Sequence, residues 1–394
     1  MAKTLLIFGG GFLQLSLIER CQVQGYKSVV IDPFDGAPGK NLADHFEVIG
    51  GQDFEGTCAM VEKYQIDGIL TSATDKPLVM MARIATHFQL PFFSVQTAKI
   101  CTDKQQMKAT FLANKIPCAH GYLIEKPKDI EKYPVIIKPL DNSGSRGVYF
   151  CENEIAAQTL IPSAFQHTKN NQLLAETFIE GSEYSVESIH FGRTSKVVQI
   201  TEKITTEFPT NVEIGHIAPA KITEEMVEKV EQLIERIHLA FDFDHCAAHT
   251  EIKIQNGAIT VIETSPRLGG DFISSDLVPL STGVNMEDAL IAIALGETPE
   301  LAAKEMHVAG AFFFLFESGK RIKKIPTLEV LNSMESLKKI DITLKANEIV
   351  SFVESSLDRH GHFVLQASNR ETLERDRRKI QQEVHAQIEY FESA

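Results

Sequence analysis

Thr250–Gly270 reads TEIKIQNGAITVIETSPRLGG, two strand-like runs around Asn256-Gly257, a strong short-range hairpin signal. Each run carries one glutamate, Glu251 on the first and Glu263 on the second, and Arg267, Gly269 and Gly270 follow directly. Two carboxylates that face each other repel unless something positive lies between them. Without a bound metal, one of the pair is expected to titrate high. Three roles compete for such a pair: general acid–base work, a surface pair, or a divalent-metal clamp. Mg2+ is held by one or two carboxylates together with substrate phosphates, so a clamp requires phosphate-binding groups elsewhere in the chain.

The turn decides whether the clamp can form. A two-residue Asn256-Gly257 turn sets Ile254 opposite Ile259 and leaves the glutamates on opposite faces. A three-residue loop, Gln255-Asn256-Gly257, shifts the ladder by one. It brings both glutamates to one face as diagonal neighbours, with Cβ atoms about 7–8 Å apart. The second register is expected, because the first strands Glu263 on the apolar face.

Outward from the hairpin, positive residues are spaced along the middle of the chain: Lys104, Lys138, Arg146, Lys203 and Arg267. The loop Asn142–Gly147, with Ser143, Gly144, Ser145 and Arg146, lies between two strand-like runs. Its small residues let backbone N–H groups close on phosphate oxygens. It is not a Walker loop, which leads from strand into helix and ends in Gly-Lys-Ser/Thr. Read alone it is equally an ordinary hairpin turn, and Lys138 at the end of the preceding strand favours the phosphate role. AETFIEGSE, residues 175–183, supplies Glu176, Phe178, Ile179 and Glu183, a set able to line an adenine slot and hold ribose hydroxyls. By itself that segment is an ordinary strand-turn-strand.

Toward the ends the pattern changes. Residues 1–95 alternate short apolar strands with helical patterns, the sign of a parallel α/β unit. Gly9-x-Gly11 begins a dinucleotide fingerprint and Asp32 stands at the ribose position, but Gln14 breaks the motif, so a structural role is favoured. TDKQQMKATFLANKI is a helix capped by Thr102 or Asp103. EEMVEKVEQLIERIHLAF is amphipathic through Val227, Val230, Leu233, Ile234 and Ile237. Three units are expected: an α/β unit at 1–95, a central unit at 96–305 and an α+β part at 306–394.

Composition narrows the class. The chain has 394 residues, 43% hydrophobic and 23% charged, as in a soluble globular protein. A net charge of −14 argues against binding to nucleic acid or to anionic membranes. No apolar run approaches the ~20 residues of a membrane span, and the N-terminus lacks signal-peptide features, so a cytoplasmic location is expected. Six scattered cysteines without a CxxC pair read as reduced thiols. His245, Cys246 and His249 suggest zinc, but no second ligand cluster completes four-coordination.

Taken in order, Lys104 in TDK, Lys138 before PLDNSGSRG, Glu176 and Glu183 in AETFIEGSE, and Glu251, Glu263 and Arg267 resemble the ATP-grasp superfamily. Each motif is loose alone; five in the right order are specific, and the likeness runs from about residue 1 to 390. HTEIKI and IETSPRLGG, with TEKITTEFPTNVEIGHIAPA before them, are most similar to the L-amino acid ligases. DPFDGAPGKNLADHF is similar to that group and to purine-biosynthetic carboxylases. The resemblance implies an ATP-grasp fold with a parallel α/β unit in front and a small β-rich C-terminal part. It implies a carboxylate–amine ligase that works through an acyl phosphate, with ATP and Mg2+ as cofactors and Mn2+ as a substitute.

By the same resemblance, Lys104 and Lys138 hold phosphates, and Glu176, Phe178, Ile179 and Glu183 hold the nucleoside. Glu251 and Glu263 bind the metal, with Ser265 where the family usually has asparagine; a hydroxyl is a shorter, weaker ligand. Arg267, with Lys203 and the Gly270 backbone, serves the transferred phosphate and the acyl group. Glu213 and His216 orient an amino-acid substrate, and Asp271 tunes the choice of side chain. Partners are small carboxylates and amines. Related ligases are often dimers, and the N-terminal sheet offers the interface for a homodimer. Alternatives are a carboxylase or kinase on the same scaffold, a nucleotide-binding protein without turnover and, weakest, an oxidoreductase.

Overall fold

The alternating strands and helices at the front of the chain build a four-stranded parallel sheet. The computed structural model describes residues 2–391, apart from 143, 209–210, 305 and 329–330. Thr4–Phe8 is central, flanked by Lys27–Asp32 and Gly68–Leu70, with His45–Val48 beyond Lys27–Asp32. All five residues of Thr4–Phe8 are buried, as expected of a parallel strand covered on both faces. The broken dinucleotide fingerprint is consumed internally. Asp32 accepts from the Gly10 and Phe34 amides at 2.9 and 2.8 Å, and Gln14 donates to the Ser72 carbonyl at 2.6 Å.

A second sheet is small and antiparallel, in the order Gly121–Ile124, Leu173–Thr177, Val135–Pro139, Tyr149–Cys151. Helix Glu154–Phe165 covers it through Ala157, Ile161 and Ala164. Before it, Asp103 caps helix Lys104–Ala113 by accepting from the Gln105 and Gln106 amides. This cap fixes where Lys104 begins the helix.

The third sheet has eight strands, in the order Ala258–Ser265, Cys246–Gln255, Ser182–Phe191, Thr194–Thr205, Glu213–Ala218, Val308–Phe313, Gly361–Ala367, Leu337–Ile342. The last three come from the β-rich tail, so this sheet runs unbroken from the hairpin into the C-terminal region. Helix Glu224–Phe241 buries Val230, Leu233, Ile234 and Ile237, each worth about 1.5–3 kcal/mol. Among the described residues no single helix is long and apolar enough to cross a membrane.

The hairpin corrects the expected register. Its turn is the two-residue Asn256-Gly257 form, with φ of 50° and 81°, and Ile254 does face Ile259. Yet Glu251 pairs directly with Glu263, because a bulge between Ile252 and Glu251 leaves Ile262 unpaired. Ile252 and Val261 keep to the buried face, while the extra residue turns Glu263 over to join Glu251 and Lys253. The glutamates therefore share a face as direct partners rather than diagonal ones. The three-residue loop failed as a reading because a bulge solves the same burial problem without touching the turn.

His245, Cys246 and His249 do not converge. Strand alternation puts Cys246 and His249 on opposite faces, and His249 is bonded to Glu187 instead.

Candidate active site

Residues from the small and the eight-stranded sheets, with loop residues of the front unit such as Phe12 and Asp75, border a cavity of about 600 Å3. On the large sheet the bulged pair stands in a row: Glu263 opposite Glu251, Glu251 opposite Ser185, Ser185 opposite Thr201. Lys203, two residues along from Thr201, turns the same way. Its ammonium lies 3.0 Å from Glu251, 3.2 Å from Glu213 and 3.8 Å from Glu183. Burial opposes the Lys203 charge, but these three carboxylates overcome it and raise the ammonium well above its ordinary range. Burial likewise opposes the Glu251 charge, and Lys203 and His249 hold that carboxyl well below its usual range. The expectation of a high-titrating acid thus fails for Glu251, since a lysine already supplies the positive partner. Lys104 lies 3.5 Å from Glu263 and also donates to the Asn142 carbonyl of the Gly-rich loop at 2.9 Å.

At the small sheet, Glu176 accepts from Lys138 at 2.6 Å and from Lys108. Burial raises the Glu176 carboxyl, and the two ammonium groups outweigh it and bring it down to about 2. Beside it Phe178 packs with Phe150 and Phe208, with ring centroids 4.8 and 5.2 Å away. Lys253 lies 4.9 Å over the Phe178 ring, donates to the Ile179 carbonyl at 2.9 Å and pairs with Glu183 at 3.2 Å.

Beyond the hairpin, Arg267 donates through Nε to Asp75 at 3.0 Å, and the Ser265 hydroxyl donates to the same oxygen at 2.6 Å. The fully buried Glu187 accepts from the Gly269 amide and the Ser274 hydroxyl, and holds His249 at 2.5 Å. Burial opposes the His249 charge, but Glu187 raises the imidazole to about 9, so it is charged at neutral pH. Asp271 receives both arms of the Arg359 guanidinium, at 2.6 and 2.8 Å, and His216 Nε2 lies 3.3 Å away. Glu213 accepts from the Ser356 hydroxyl at 2.8 Å and from Ser145 of the Gly-rich loop at 3.4 Å.

Residues 131–276 match the ATP-grasp domain family. The chain carries an ATP-grasp domain. A formate-dependent phosphoribosylglycinamide formyltransferase of Sulfurisphaera tokodaii is 24% identical over 251 residues, 60% of this chain and 63% of that one. The chain thus spans less than two thirds of that relative's length. An L-amino acid ligase from Bacillus licheniformis superposes with a TM-score of 0.84 at 21% identity, over 100% of this chain and 99% of that one. A phosphoribosylglycinamide synthetase from Anaerococcus prevotii gives 0.77 at 21% identity over the whole of both chains. At this identity the likeness is one of fold.

Within the ATP-grasp fold, the cavity is lined by Lys104, Lys138, Gly144, Ser145, Arg146, Glu176, Phe178, Ile179, Glu183 and Lys203. It is also lined by Glu213, His216, Glu251, Glu263, Arg267, Gly270 and Asp271. Ser143 lies outside the described residues. Ser265 shares the face of Glu263, but its hydroxyl is turned to Asp75 and does not line the cavity, so its side chain stands apart from the carboxylate pair.

Several residues escaped the sequence reading. Lys108 sits one helical turn after Lys104, and that i, i+4 spacing of lysines in TDKQQMK was the available signal. Lys253 lies two residues after Glu251, on the same strand face. Asp75 and Arg359 gave no sequence signal, because each meets its partner only through the fold.

The site's fit to Mg2+ rests on its oxygens. Glu251 and Glu263 face one another, and the adjacent Ser185 hydroxyl is buried at the cavity wall without a hydrogen-bond partner among the described residues. Among the described residues no group of three or more His, Cys, Asp or Glu side chains could hold a metal alone. A two-carboxylate site completed by substrate phosphates is what Mg2+ uses, so the donor set fits.

Proposed function

We propose that this chain is an ATP-dependent carboxylate–amine ligase acting on at least one amino acid. The observation that supports it most is the facing pair Glu251 and Glu263, each beside a lysine, in the same cavity as Lys138, Arg146 and Arg267.

In this reading Lys104, Lys138 and the loop of Gly144, Ser145 and Arg146 hold the phosphates of ATP. Glu176, fixed by Lys108 and Lys138, stands with Phe178, Ile179 and Glu183 along the nucleoside. Glu251 and Glu263 hold Mg2+, which supplies charge neutralisation on the phosphate oxygens. An oxygen of the substrate carboxylate bonds to the γ-phosphorus as the bond to the β-phosphate oxygen breaks, giving an acyl phosphate and ADP. The amine, having lost a proton, then forms the C–N bond as the C–O bond to phosphate breaks and inorganic phosphate leaves. Arg267, held rigid by Asp75, offers a guanidinium to the transferred phosphate, and the Gly270 backbone lies beside it. Glu213 and His216 orient the amino acid. Such chemistry is governed by positioning and charge, so no protein nucleophile is required.

The test is ADP and phosphate release with Mg2+·ATP and amino acids offered singly and in pairs. Release that depends on a pair, with an amide product by mass spectrometry, is the expected result. Release that requires bicarbonate or a lone phosphate acceptor favours a carboxylase or kinase. No release with any acceptor defeats the reading.

A further inference from the structure

One stretch of the cavity wall is left unused by this scheme. Phe272 stacks on His362 with centroids 4.3 Å apart and planes inclined by 27°. Phe12 meets both rings edge-on at 6.3 Å, and Phe313 lies 6.3 Å from Phe272 on its other side. All four line the cavity, and they come from the front unit, the loop after the hairpin and two C-terminal strands. Phe12 remains 59% exposed there, which leaves a large apolar ring unburied. Phe272 also holds φ at 64°, directly after Asp271 at 52°. A bulky side chain adopts that region only where its surroundings enforce it, and such backbone clusters at ligand-binding positions.

Among the described residues the charged groups at this wall are already paired. Asp271 is engaged by Arg359, whose guanidinium lies 3.5 Å over the Phe313 ring. Lys339, 5.8 Å over Phe272, is paired with Asp276 at 2.7 Å. Burial lowers the basicity of His362, so its ring presents a neutral face at pH 7. A charged substituent would find no partner here, and a flat apolar one would cover exposed ring.

We infer that Phe12, Phe272, Phe313 and His362 seat an aromatic side chain of the carboxylate or amine substrate. The inference rests on the ligase reading for what that substrate does, but not for how it is held. The test is calorimetric titration of the full chain with Mg2+ and a non-hydrolysable ATP analogue. The probes are L-phenylalanine, 3-phenylpropanoate, L-alanine and propanoate. At least one aromatic probe should bind roughly tenfold or more tighter than its small counterpart. Phe12→Ala should remove about tenfold of that gain and Phe12→Tyr should keep it, with affinity for the nucleotide unchanged in both. Aromatic probes that bind no tighter than the small ones, or a gain that Phe12→Ala leaves intact, overturn the inference. If the aromatic gain is present but no substrate pair drives ADP release, the wall stands and the ligase reading falls. If only small or charged substrates drive release and the gain is missing, the reverse holds.

Discussion

Glu251 and Glu263 face each other across adjacent strands only because Ile262 is left out of the ladder. Val261 and Glu263 are two residues apart and would otherwise share a face, one apolar and one charged. The bulge lets the strand serve the buried core and the cavity in succession. A pair built this way is expected to work as a unit. Glu263→Gln should cut ADP release by roughly 100-fold or more while the far-ultraviolet spectrum and unfolding midpoint stay near wild type. A variant that keeps wild-type release at saturating Mg2+ removes the metal role from this residue.

The sequence carried much of this and missed the rest for identifiable reasons. Gly-rich loop, lysines and paired glutamates were legible because each sits in a local pattern of fixed spacing. The bulge was not, since period-two alternation has no term for an extra residue. Asp75 reaches Arg267 across 192 positions, and Arg359 reaches Asp271 across 88. Such long-range pairs leave no local trace. Asp271, expected to tune the choice of side chain, has its charge cancelled by Arg359.

The Lys203 side chain is 3% exposed and stands among Glu183, Glu213 and Glu251. Lys203→Met should leave three carboxylates without their shared cation, destabilising the fold by about 3–5 kcal/mol and abolishing turnover. Mg2+·ATP should restore part of the lost stability, because the bound cation replaces the missing charge between carboxylates. Urea unfolding with and without Mg2+·ATP checks both statements. An unfolding midpoint unmoved by the substitution refutes them.

Asp271→Ala leaves the Arg359 guanidinium without its carboxylate, and Arg359→Met leaves Asp271 with only His216. Each single change should alter the ranking of accepted amino acids more than it alters ATP affinity. The double variant should lose less stability than the two losses added, with a coupling of about 0.5–3 kcal/mol. A double-mutant cycle on unfolding free energy, run beside kcat/KM for a small amino-acid panel, measures both. Strict additivity together with an unchanged ranking would show that the pair neither holds the site together nor selects substrate.

Glu287 lies in the first turn of helix Met286–Ala294, against helix Leu15–Val23 of the front unit, and is 1% exposed. One of its oxygens accepts from the Ser16 hydroxyl at 2.6 Å, and the other is buried without a partner among the described residues. Burial raises its carboxyl from 4.5 to about 7, and nearby Asp276 and Asp288 add to the shift, while Ser16 and Arg20 oppose it. The folded state therefore binds this proton more tightly than the unfolded chain does. The contribution of Glu287 is fully present below pH 4.5 and is lost as pH rises toward 7, a fall of roughly 3 kcal/mol. Glu287→Gln keeps the shape and the neutral charge at every pH, so its stability should exceed that of wild type at pH 8 and match it near pH 4.5. Urea midpoints of the two proteins at pH 4.5, 6 and 8 test this directly. Parallel curves across that window would mean that folding does not raise the Glu287 carboxyl.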